Sequence, residues 1–127
     1  MYLLIDPSEK DTIKIVGFTE NRIETEMYPA ANREILASVD SFLSTRGLDK
    51  KDVQGIAVVV GAGGFTSTRI ATTVANVWHF VYKIQVFGVS REESLAPQAL
   101  IVRFKNPRAT GTYILAQYSG EPNIGTK

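Results

Sequence analysis

The sequence predicts an α/β fold, a mixed five-stranded sheet with helices packed on it, and three observations carry that prediction. Ile56 to Val60 is an unbroken β-branched and apolar run, the pattern of a strand covered on both faces. Gly61, Gly63 and Gly64 follow it and open a long helical pattern; glycines at such a junction permit positive φ or close backbone approach. Asn32 to Arg46 shows the clearest helical period, with Ile35, Leu36, Val39, Phe42 and Leu43 on one stripe.

In chain order, Tyr2 to Ile5 reads as a short strand that ends at Asp6-Pro7-Ser8, and Thr12 to Phe18 alternates well enough for a second. Glu20-Asn21 supplies turn chemistry, and Arg22 to Met27 alternates charged with apolar residues as a half-exposed edge strand does. The first helix has Asn32 as N-cap and Glu34 in its first turn; Gly47 suits the left-handed position after it, and Leu48 can fold back on Leu43. The second helix runs from about Thr66 to Tyr82, with Thr66 or Ser67 as cap. It carries Ile70, Val74, Val77 and Val81 on one face and Ala71, Ala75, Trp78 and Tyr82 on another, so one apolar face is left for a second helix of this chain or of a partner. Ile84 to Phe87 makes another strand, Ser90 to Ala96 a short polar helix or turn, Ala99 to Phe104 and Thr112 to Gln117 strands, and Tyr118 to Lys127 a polar tail. The division predicted is 1–98 as the folded unit and 99–127 as a strand or hairpin with the tail.

At 127 residues the chain is long enough for one real core and short for a two-domain enzyme. Fourteen basic against thirteen acidic side chains give a net charge of +1, too little to draw the chain globally to nucleic acid or membrane. There is no cysteine, which excludes disulfides and thiolate metal sites. With no apolar run near bilayer length, and no signal sequence, the expectation is a soluble cytoplasmic protein.

A phosphate-binding reading of the glycine turn rests on exposed amides at a helix start. A P-loop would end in Gly-Lys-Ser/Thr, yet no lysine stands between Lys51 and Lys83. A dinucleotide fingerprint would put a glycine at Thr66 and a carboxylate roughly 20 positions on, where Lys83 to Val89 has none. The alternative is a tight strand-to-helix turn. His79, the single histidine, reads as a surface or packed residue rather than a metal ligand, since further ligands at suitable spacing are missing.

Three strands, then helix, strand, helix and strand is the order of a half-domain of the actin-like ATPase and ribonuclease-H-like architecture, with right-handed crossovers placing both helices on one face. In that architecture Asp6 and Ser8 stand where nucleotide phosphates and metal are held, so they cap the strand end or belong to a nucleotide site with Gly61, Gly63 and Gly64. The segment GAGGFTSTRIA resembles the Gly-Pro-Gly-Ser-Phe-Thr-Gly-Leu/Val-Arg-Ile-Gly motif of the bacterial TsaB (YeaZ) proteins of tRNA threonylcarbamoyladenosine synthesis. Gly61, Gly63, Phe65, Thr66, Arg69 and Ile70 match, as do Leu4 to Asp6 and Phe87 to Ser90. Ala62, Gly64, Ser67, Thr68 and Ala71 depart from it, which marks a divergent member. The likeness covers roughly residues 1 to 90; Gln117-Tyr118 and Pro122-Asn123 are similar to the family's tyrosine-and-proline tail. Family members continue into a second half-domain, so the chain reads as a minimal form.

The resemblance implies a non-catalytic accessory subunit without cofactor or metal. Its partner is a TsaD-like catalytic subunit that transfers threonylcarbamoyl to adenosine 37 of tRNA, with a TsaE-like ATPase resetting the complex and tRNA met only indirectly. Pairing through the two helices points to Leu36, Val39, Leu43, Phe65, Arg69, Ala71, Ala75, Trp78 and Tyr82. Arg69 either holds the glycine turn or reaches a partner carboxylate, and Trp78 and Tyr82 are core residues or interface anchors. The alternatives are a nucleotide-binding half-site completed by a second chain and a homodimeric scaffold that buries the same helix face.

Overall fold

The computed structural model describes residues 1–9, 11–29, 35–61 and 65–105. Five strands, β1 (Tyr2–Asp6), β2 (Thr12–Phe18), β3 (Ile23–Pro29), β4 (Gly55–Val59) and β5 (Gln85–Val89), form one sheet in the order β3-β2-β1-β4-β5. β1 pairs antiparallel with β2 and parallel with β4, β2 pairs antiparallel with β3, and β4 pairs parallel with β5. The meander and the two crossovers are those predicted, and the fold is the actin-like, ribonuclease-H-like α/β type.

Strand alternation sorts the core into two layers. Leu3, Ile5, Ile13, Ile15, Ile56, Val58 and Val86 face α1 (Ile35–Ser44) and α2 (Phe65–Tyr82), while Tyr2, Leu4, Val16, Phe18, Ala57, Val59, Phe87 and Val89 face the opposite side. β1 and β4 are buried along their whole length, as an apolar run in mid-sheet must be. α1 ends as its sequence predicts. Gly47 has φ +70°, its N–H donates to Ser44 O (3.1 Å), and Leu48 N–H donates to Leu43 O (2.9 Å), the paired bonds of a Schellman motif. The predicted N-cap Asn32 and Glu34 lie outside the described residues.

Two expectations are corrected. α2 begins at Phe65, so Thr66 and Ser67 stand within its first turn rather than before it. Ala99 to Phe104 is not a strand: a 3-10 turn, Pro97–Leu100, runs into a short helix α3 (Ile101–Lys105). Leu100, Ile101 and Phe104 share one helical face and cover the second side of the sheet, where Phe104 lies 4.6 Å from the Tyr2 ring and 4.5 Å from the Phe87 ring. Gly55 permits that approach, since a β-carbon there would overlap the Phe104 ring. α3 therefore packs with the sheet. The predicted strand Thr112 to Gln117 and the tail lie outside the described residues.

Candidate functional site

α2 carries the decision about which face is left for a partner. Ala71, Ala75 and Trp78 are buried, because alanines let the helix axis approach the sheet and α1 closely. The Trp78 indole N–H donates to Lys50 O (3.1 Å), which ties the 3-10 turn Lys50–Asp52 to the middle of α2. The alanine face, predicted to pack on a second helix of this chain or of a partner, is thus spent inside the molecule, and on α1 Val39 and Leu43 are likewise core.

What remains open is the face predicted to lie on the sheet. Val77 is 53% exposed and Val81 56%, and across from them Leu36 of α1 is 49% exposed. With Val74 and Tyr82 they line an apolar groove of about 360 Å³ between the helices. Tyr82, half-exposed, sits 6.0 Å from the Trp78 ring at the groove's end, and Phe80 stands beside it, largely in solvent. One rim is ionic: Lys50 Nζ lies 3.4 Å from Asp40 Oδ1, both half-exposed, and Lys51 and Asp49 continue along the turn.

Of the predicted partner residues, Leu36, Trp78 and Tyr82 line the groove. Arg69 is exposed one turn or more away, where its carbonyl accepts from the Thr72 (2.9 Å) and Thr73 (2.8 Å) hydroxyls. The side chain of Phe65 lies outside the described residues, as do Gly63 and Gly64. Val77 and Val81, placed by pattern reading on the other apolar face of α2, are the exposed groove residues that it did not assign to a partner. A signal existed: Thr68, Ala71, Thr72, Ala75 and Trp78 make one stripe through the helix, whereas the stripe of Val77 and Val81 begins at polar Arg69 and Thr73.

At the carboxyl ends of β1 and β4, Asp6 is buried. Its Oδ1 accepts from the Ser8 N–H (2.9 Å), which caps the strand end, and its Oδ2 lies 3.9 Å from Lys14 Nζ. Ser8 Oγ is buried without a hydrogen-bond partner among the described residues. Gly61 has φ +83°, a backbone state that glycine meets without strain. His79 Nδ1 is 2.7 Å from Ile84 O, which fastens the end of α2 to the approach of β5. Among the described residues no group of three or more His, Cys, Asp or Glu side chains gathers as metal ligands would. No described helix is long and apolar enough to cross a membrane.

The family model for TsaD, the tRNA N6-adenosine threonylcarbamoyltransferase, matches residues 29–115. The chain belongs to the TsaD family. Within it the chain is a TsaB (YeaZ)-like protein, as the motif resemblance implies. YeaZ from Pseudomonas aeruginosa is 27% identical with a TM-score of 0.63, over 80% of this chain and 49% of that one. A crystal structure described as an uncharacterized protein with similarity to peptidase YEAZ from Pseudomonas aeruginosa is 26% identical with a TM-score of 0.64, over 79% and 47%. The chain spans about half the length of these solved TsaB-like structures. No curated protein sequence matches it.

Proposed function

We propose that this TsaB-like chain is a non-catalytic accessory subunit that binds and activates a TsaD-like enzyme through the groove between α1 and α2. It thereby supports threonylcarbamoylation of adenosine 37 in tRNA, in the cytoplasm, with a TsaE-like ATPase acting on the complex and tRNA held by the partner. The observation that carries the reading is the groove itself. Leu36, Val77 and Val81 expose apolar side chains along a groove between two helices, a shape that accepts an amphipathic helix. The division that goes with it keeps α3 with the half-domain.

The test is calorimetry of the full chain with the TsaD-like protein of the same genome. Wild type forms a one-to-one complex; the double substitution Val77→Glu, Val81→Glu weakens it at least ~100-fold, because charge enters a desolvated interface centre, while the melting temperature holds. Undiminished binding by that variant refutes the groove assignment. Ala71→Glu and Ala75→Glu are unsuitable probes, since both bury a charge in the core.

A second reading rests on Ser8, whose N–H donates to Asp6 and whose hydroxyl is buried without a partner among the described residues. It makes the chain a nucleotide half-site completed by a second chain. Titration with ATP and magnesium separates the two readings, because the accessory subunit alone gives little heat.

A further inference from the structure

The open edge of the sheet at β3 is built to pair with itself. Thr19 N–H donates to Arg22 O (2.9 Å), which closes the β2–β3 hairpin on a hydrogen-bonded pair. Such pairs alternate with non-bonded ones along an antiparallel ladder. With the register Phe18↔Ile23, Gly17↔Glu24, Val16↔Thr25, Ile15↔Glu26 and Lys14↔Met27, the backbone groups of Glu24 and Glu26 point at β2. Those of Ile23, Thr25 and Met27 point outward, on a strand with no neighbour on that side among the described residues.

The same three residues carry the exposed side chains. Ile23 is 49% exposed, Met27 52%, and Thr25 lies in solvent between them. Edge strands are commonly blunted by lysine, proline or a bulge. β3 has no lysine, and its proline is the last residue. Its two carboxylates are neutralised within the molecule: Arg46 binds Glu24 at 2.6 Å and Glu26 at 2.9 Å, and Arg22 binds Glu24 at 2.6 Å.

We propose that β3 pairs antiparallel with β3 of a second copy about a two-fold axis at Thr25, joining two sheets into one. Thr25 then faces Thr25 of the partner subunit, and Ile23 faces Met27 of the partner subunit. These three facing pairs each exchange two backbone hydrogen bonds and set threonine on threonine and apolar on apolar. The intervening non-bonded pairs set Glu24 opposite Glu26 of the partner subunit, tolerable because Arg46 and Arg22 pair with those carboxylates within each subunit. This register uses all three outward residues and leaves Pro29, which has no N–H, outside the ladder. The contact is isologous, as two-fold pairing requires. It leaves the groove between α1 and α2 free, so it does not depend on the proposed function. One strand pair is a small interface, so dissociation falls in the micromolar range.

Sedimentation velocity on the full chain from ~1 to ~200 µM tests it, because a weak dimer populates by mass action. Wild type passes from monomer to dimer over that range. Thr25→Pro remains monomeric at unchanged melting temperature, since the N–H it removes bonds nothing within the subunit and proline is tolerated on an edge. Should that variant fail to fold, Ile23→Lys raises the dissociation constant at least tenfold. Three results overturn the proposal: wild type monomeric throughout, a dimer that survives both substitutions, or a dimer abolished by Val77→Glu instead. Hydrogen exchange adds a fourth, in which a monomer protects the Ile23, Thr25 and Met27 amides because another part of the chain covers the edge.

Discussion

Phe104 and Gly55 form a ring-in-notch contact that holds α3 on the sheet, and a double-mutant cycle measures it. Phe104 is buried, lies within 4.6 Å and 4.5 Å of the Tyr2 and Phe87 rings, and is 6.3 Å from Phe18. Phe104→Ala removes a core aromatic at about 3–5 kcal/mol, and with two close ring neighbours a value near ~4 kcal/mol is appropriate. For a domain of this size that lowers the melting temperature by ~15 °C. Gly55→Ala forces a methyl into the Phe104 ring, an overpacking cost of about 1–3 kcal/mol. Against it stands a gain of ~0.5 kcal/mol from removing a flexible glycine from a strand. Gly55→Ala is therefore destabilising by ~1 kcal/mol or more in wild type and mildly stabilising in the Phe104→Ala background. The sign reversal, with a coupling of roughly 2 kcal/mol, is read from thermal and urea unfolding followed by circular dichroism. Equal effects of Gly55→Ala in the two backgrounds refute the packing of α3 against β4.

Arg46→Ala loses two carboxylate contacts, the bond from its guanidinium to Phe42 O (3.0 Å) and stacking over the Phe42 ring at 3.8 Å. Because the side chain is largely covered, the cost is about 1–2 kcal/mol in urea denaturation, and the difference from wild type shrinks in 1 M salt on the order expected for screened pairs. Arg46→Lys recovers less than half, having no planar fork to reach both carboxylates. Ser90 and Glu93 form a capping box, Ser90 N–H to Glu93 Oε1 at 2.7 Å and Glu93 N–H to Ser90 Oγ at 3.0 Å. The Ser90 N–H holds the Glu93 carboxyl below its ordinary value of 4.5. A depressed carboxyl contributes stability that is complete above the unfolded value and lost as pH falls through the folded one. Glu93→Gln thus flattens the stability profile below about pH 4.5 and leaves its slope near neutrality unchanged.

Strands and the first two helices were legible because each has one unambiguous period. Ile35, Val39, Phe42 and Leu43 cannot share a face in any strand, and Ile56 to Val59 is too short and too apolar for anything but mid-sheet. Leu100 to Phe104 was misread for the opposite reason: five residues with four apolar side chains fit either period. Only the need to cover Tyr2, Phe18 and Phe87 on the far face, which is a property of the assembled sheet, favours the helix. α2 is ambiguous in a third way: both stripes are apolar, and only close approach to the sheet and α1 selects the small side chains of Ala71 and Ala75 for burial. The groove lined by Leu36, Trp78 and Tyr82 is a property of the two assembled helices.

The position of β1 between an antiparallel and a parallel neighbour has a consequence for the order of folding. β2 and β3 follow β1 through short turns, so the meander forms from local contacts, early and cheaply. The other flank of β1 must wait for β4, whose Gly55 pairs with Tyr2. Until then the upper flank of Leu3 and Leu4 is bare, and a nascent chain carries an apolar strand with one edge unsatisfied. Slow steps and stray association during synthesis are therefore concentrated in the interval before β4 arrives, and substitutions in β4 bear on folding rate more heavily than equivalent ones in β3.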